Sequence, residues 1–103
     1  MATDDYYDGQ GRLDGALLTW YDEKEKLAYL QRAQELGVRN IEMETTSFLS
    51  FWQRLGMRAT CVCVALLDRL KGDQHVFGKG EIAKFSARTG EVVCAWLRAL
   101  EIL

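Results

Sequence analysis

The sequence predicts an α/β fold that contains a βαβ unit, and three observations carry that expectation. Residues 57–67, MRATCVCVALL, form a near-continuous apolar run without alternation, the signature of a strand buried on both faces of a parallel sheet. A shorter run at 38–43 lies between two helical patterns and reads as a second strand. Between the two runs, Phe48, Leu49, Phe51, Trp52 and Leu55 recur at helical spacing, capped by Thr45 or Thr46 and stopped by Gly56. Strand, helix and strand with short connections make a unit whose crossover is expected to be right-handed.

Along the chain, residues 1–8 (MATDDYYD) are polar and aromatic and lead into the loop Gly9–Gly15, which carries Gln10 and Arg12. Its glycines fall as G-x-G-x-x-x-G, and no long helix with its acidic ribose-binding partner clearly follows, which excludes a nicotinamide fingerprint. Residues 16–21 (ALLTWY) read as a short strand or buried connection. A helix is predicted over 22–36, with Asp22 as N-cap, Glu23 and Glu25 at the positive end of its dipole, and Gly37 at C′. The aromatic face of 45–55 is expected to be core. Residues 70–80 hold three glycines and His75 without periodicity and read as a mobile loop, in which the histidine is exposed. From Glu81 onward, Ile82, Phe85, Val92, Val93, Trp96, Leu97 and Leu100 predict a terminal amphipathic helix, weakened around 86–90, covering one face of the sheet.

Composition narrows the function classes. The 103 residues suit one small domain or part of a larger one, and 49% hydrophobic content is globular. Thirteen basic and fifteen acidic side chains, with no long run of one sign, argue against a nucleic-acid or anionic-membrane binder. Cys61, Cys63 and Cys94 lack metal-ligand spacing, and His75 is too isolated to complete a zinc site, so the cysteines read as buried thiols in a reducing, cytoplasmic setting. No apolar run reaches the roughly 18 residues of a membrane span.

Three polar groups remain that a purely structural reading does not need: Gln10 with Arg12, Glu42 with Glu44, and Asp68 with Arg69. A planar amide beside a guanidinium fork can read the edge of a flat heterocycle, and carboxylates at strand ends can accept hydrogen bonds from paired sugar hydroxyls. Donors aimed at the carbonyl oxygens of a departing base would stabilise charge that develops in the transition state. The plainer alternatives are that Glu42 or Glu44 helps start the following helix and that Asp68 and Arg69 form a surface ion pair.

The segments 5–15 (DYYDGQGRLDG), 37–44 (GVRNIEME) and 62–74 (VCVALLDRLKGDQ) resemble three motifs of the carboxyl-terminal third of the uridine phosphorylases, within the nucleoside phosphorylase superfamily, in order and at family spacing. The Gln-Gly-Arg loop separates these enzymes from purine-specific relatives that share the Glu-Met-Glu segment. The resemblance implies that residues 1–103 are part of a nucleoside phosphorylase domain, a βαβ-containing fragment of its mixed-sheet α/β sandwich that binds uracil and ribose, lacks the amino-terminal phosphate site and so is inactive alone. It implies reversible phosphorolysis of uridine to uracil and ribose 1-phosphate, phosphate as co-substrate, no metal or organic cofactor, and a homo-oligomer at full length. Gln10 and Arg12 would bind the uracil edge, Arg69 the uracil carbonyl, Glu42, Met43 and Glu44 the ribose hydroxyls, and Tyr6 would stand against the base where the family usually has Phe. Asp68 occupies a place often held by Asn and resembles the acid of purine enzymes. That leaves as alternatives a purine-preferring or hydrolytic relative, or a non-catalytic product docking on the full-length enzyme.

Overall fold

The computed structural model describes residues 1–3 and 7–102. They fall into two compact units, one of Met1–Cys61 with Leu67–Asp73 and one of Val62–Leu66 with Gln74–Leu103. The first unit holds a short 3-10 turn at Asp8–Gln10 and the helices α1 (Glu23–Glu35) and α2 (Thr45–Arg54); the second holds α3 (Lys79–Ala99).

Local chemistry explains each helix boundary. At α1 the Asp22 carboxylate accepts from the Glu25 amide at 2.9 Å while the Glu25 carboxylate accepts from the Asp22 amide at 2.9 Å, a reciprocal capping box. The helix ends in a Schellman motif: Gly37, at φ 88°, donates to Gln34 O at 3.0 Å, and Val38 donates to Ala33 O at 3.0 Å. The same pair of bonds closes α2, where Gly56 (φ 70°) and Met57 bond back to Gln53 and Trp52. The helix expected over 22–36 is therefore present, shorter by one residue at each end.

The expected βαβ arrangement is absent. Among the described residues there are three α-helices and no strand, and the one β-bridge is an isolated parallel contact of Ala2 with Glu42. A strand exists only through the ladder it shares with a neighbour, and an apolar run supplies the propensity without supplying the partner. Residues 57–67 meet no such partner and have no regular structure; 16–21 likewise form no strand, and 38–43 contribute only the bridge at Glu42.

Burial follows the same logic. Among the described residues the buried apolar side chains are Leu30 and Ala33, which share the inner face of α1 with buried Lys26. α2, whose aromatic face was expected to be core, has no buried residue, and Phe48, Phe51 and Leu55 are exposed. α3 runs unbroken through Gly90 and also buries nothing, so neither the weakening at 86–90 nor the covered sheet face is found. The cysteines are not buried either: Cys61 is half-buried and Cys63 and Cys94 are exposed.

Apolar surface of this extent favours association, since burying it recovers about 25 cal/mol per Å². The purified chain is expected to bind a hydrophobic dye such as ANS and to elute above its monomer mass at micromolar concentration. A monomer that unfolds sharply and binds no dye would contradict this.

Candidate functional site

The Gly9–Gly15 loop is held from both sides by groups of the first unit. The 3-10 turn at Asp8–Gln10 is closed by Gly11, at φ 65°, whose amide donates to Asp8 O at 2.9 Å. Tyr21 Oη lies 2.9 Å from Asp8 O and 3.0 Å from Arg12 O, and Tyr29 Oη donates to Gly9 O at 2.9 Å. Burial and the neighbouring Asp8 push the Tyr21 phenol up, so it stays a neutral donor. A methyl at Gly11 would stand 3.0 Å from Tyr29 Cδ1 in addition to forcing a side chain into the left-handed region. Gly11→Ala is accordingly expected to destabilise the first unit by about 1–3 kcal/mol, read from urea unfolding followed by far-UV circular dichroism.

Arg69 joins this loop from 58 residues away in sequence. Its Nη1 donates to Gln10 O at 3.0 Å and its Nη2 to Gly11 O at 2.8 Å and Asp73 Oδ1 at 3.0 Å. Asp73 is the hub of the arrangement: its Oδ2 also accepts from the Leu13 amide at 3.1 Å and from Lys26 Nζ at 3.3 Å. Burial opposes the charge on Asp73, but the Leu13 amide and Arg69, with Lys26, outweigh it and hold the carboxyl below its ordinary value. Arg69 Nε is buried and finds no hydrogen-bond partner among the described residues.

Gln10 is buried, with the backbone carbonyl engaged as above. Arg12 forms a two-point pair with Asp14, Nε to Oδ1 and Nη2 to Oδ2, each at 2.7 Å, which keeps its guanidinium charged. The same guanidinium lies over the Tyr7 ring, 4.4 Å from its centroid. Tyr6 lies outside the described residues.

Glu42, Met43 and Glu44 form a second group at the start of α2. Glu42 Oε2 accepts from the Glu44 amide at 2.8 Å and the Thr45 amide at 2.6 Å. Partial burial works against that carboxylate, but its bonds to Thr45 and Glu44 lower its pKa all the same. The structure thus gives Glu42 the helix-starting role and leaves neither Thr45 nor Thr46 as the cap; the N-cap residue is Glu44, without a side-chain capping bond. Glu44 Oε2 accepts from the Met43 amide at 3.2 Å.

Asp68 turns to Lys71 Nζ at 3.1 Å and the Leu70 amide at 3.1 Å, which lower its pKa. A carboxyl held ionised at neutral pH can accept a hydrogen bond and is a poor proton donor. Among the described residues no group of three or more His, Cys, Asp or Glu could hold a metal ion, and no helix is long and apolar enough to cross a membrane.

The bonds found therefore join Gln10, Arg12 and Arg69 in one network and Glu42, Met43 and Glu44 in another. Sequence reasoning missed Asp73, Lys26, Tyr21 and Tyr29. Only Asp73 carried a signal, an opposite charge four residues after Arg69.

Comparison with known proteins gives no matching family model. The uridine and thymidine phosphorylase of Caenorhabditis elegans is 45% identical over 98 residues, covering 95% of this chain and 33% of its own length. Uridine phosphorylase 2 of Mus musculus is 60% identical over 88 residues, covering 85% of this chain and 27% of its own length. The crystal structure of uridine phosphorylase from Schistosoma mansoni in complex with uracil superposes with a TM-score of 0.79 at 44% identity, over 95% of this chain and 34% of that one. The chain spans about a third of the length of these relatives. Over that third it belongs to the uridine phosphorylase family.

Proposed function

We propose that this chain is the base- and ribose-binding part of a uridine phosphorylase, in which Gln10, Arg12 and Arg69 recognise the pyrimidine and Glu42, Met43 and Glu44 the ribose hydroxyls. One observation carries the reading: Arg69 lies across the carbonyls of Gln10 and Gly11 with a buried Nε donor that has no partner among the described residues. Buried donors are costly when unmet, so a ligand oxygen at that point has a physical reason to bind. Arg12 uses two of its five N–H groups on Asp14, which leaves donors for a base carbonyl. Tyr6 would stand against the base. The solved relative holding uracil supports a pyrimidine as the ligand class.

In the reaction this reading implies, phosphate attacks the anomeric carbon, the bond from that carbon to the base breaks, and the electron pair leaves with uracil. The donors of Gln10, Arg12 and Arg69 would stabilise the negative charge on the departing ring, and protonation gives uracil beside ribose 1-phosphate. The phosphate-binding residues would come from the two thirds of the family's length outside this match. No metal or organic cofactor enters the scheme. A homo-oligomer in the cytoplasm is the setting the reading favours, and the three cysteines outside metal spacing agree with a reducing compartment.

The test is a chimera in which this chain replaces the matching span of the Mus musculus enzyme. Phosphate-dependent release of uracil from uridine is expected, with inosine a poor substrate, and Gln10→Ala or Arg12→Ala should lower kcat/KM by about 10²-fold or more. Equal turnover in both variants would sink the assignment.

A further inference from the structure

We propose that Asp73 is the positioning residue of the pyrimidine site, fixing Arg69 and the Gln10–Leu13 loop in one rigid arrangement; this rests on the reading of the site given above. Asp73 is 10% exposed at its side chain, Arg69 14% and Lys26 6%, so the three charges meet largely out of water. Each Asp73 oxygen has a separate task. Oδ1 accepts from Arg69 Nη2, and Oδ2 accepts from the Leu13 amide and Lys26 Nζ. One carboxylate therefore ties together α1, the loop after the 3-10 turn, and the turn that carries Arg69.

The arrangement solves a specific problem. A guanidinium is a rigid fork on a flexible stem, and the two carbonyls of Gln10 and Gly11 bind only its Nη edge. With Asp73 in place, Nη2 is held from two directions, and the orientation of the whole plane, Nε included, is set. Recognition of a carbonyl oxygen tolerates errors of only about 0.5 Å, and a side chain free to rotate does not meet that limit. Lys26 Nζ meets the other oxygen of the same carboxylate, so Asp73 Oδ2 is held by a cation as Oδ1 is held by Arg69.

Two readouts test this. In the 103-residue chain, solvent exchange of the Arg69 Nε–H, followed by ¹⁵N NMR, is expected to be slow and to accelerate tenfold or more in Asp73→Asn. Asp73→Glu should restore part of the protection. The backbone amides of Leu30 and Ala33 serve as reference, because they report opening of α1 as a whole. A role in stability alone would accelerate Arg69 and those amides equally, and that result would overturn the proposal. Should Asp73→Asn fail to fold, Lys26→Gln/Asp73→Asn removes one charge of each sign and carries the same comparison. In the chimera, uracil affinity should fall at least tenfold in Asp73→Asn and recover partly in Asp73→Glu; unchanged affinity would also overturn the proposal. Absence of uracil binding by the unsubstituted chimera would instead remove the pyrimidine reading, while exchange at Arg69 still decides whether Asp73 holds the guanidinium.

Discussion

Leu30→Ala is expected to destabilise the first unit by about 2–5 kcal/mol, a large part of the 5–15 kcal/mol typical of a whole small domain. The size of the effect follows from scarcity. Leu30, 4% exposed, and Ala33, 8% exposed, are the buried apolar side chains found among the described residues. Leu30 also lies beneath the loop, since its Cδ2 would stand 3.8 Å from a methyl placed on Gly11. A cavity there removes support from α1 and from the Gly9–Gly15 backbone together. Phe51→Ala deletes more atoms but from a side chain 58% exposed, and should cost about 0.5 kcal/mol or less. Urea unfolding of both variants by far-UV circular dichroism checks the contrast; a larger loss for Phe51→Ala would mean that α2, not α1, anchors the fold.

That contrast also explains what could be read from the sequence. α1 was legible because its determinants are local: the Asp22–Glu25 capping box and the left-handed Gly37 lie within a residue or two of the helix they bound. The sheet was not, because an apolar run at 57–67 specifies a surface to be covered and cannot specify a covering. The same holds for α2, where Phe48, Phe51 and Leu55 mark an apolar face that nothing in the described chain buries. At the site, the motifs identified Gln10, Arg12 and Arg69, and the structure joins them through backbone carbonyls that no side-chain pattern encodes. Asp73 sits in a glycine-bearing stretch that reads as mobile, and no sequence signal singles out Lys26 on its helix. Their burial depends on each other's charge, a pairing across 47 residues.

Asp73→Ala is expected to cost about 3–5 kcal/mol at neutral pH, because it leaves Arg69, already largely removed from water, without its anion and leaves buried Lys26 only the exposed Glu23 at 3.7 Å. The origin of that loss can be checked through pH. Burial alone would raise the Asp73 carboxyl, but the Leu13 amide, Arg69 and Lys26 hold it below its ordinary value. A group whose folded pKa is depressed contributes its stability in full above the unfolded carboxylate value and loses it as pH falls through the folded one. The unsubstituted chain should therefore weaken in acid, below the ordinary carboxylate range, more steeply than Asp73→Ala. There the carboxyl is protonated, Arg69 and Lys26 have lost the Asp73 charge in both proteins, and the two unfolding free energies should approach each other. Urea titrations at intervals between about pH 7 and pH 2 measure the difference directly. A gap that stayed constant across that range would show that Asp73 acts through its shape and its bond to the Leu13 amide, and that its charge contributes nothing to holding Arg69.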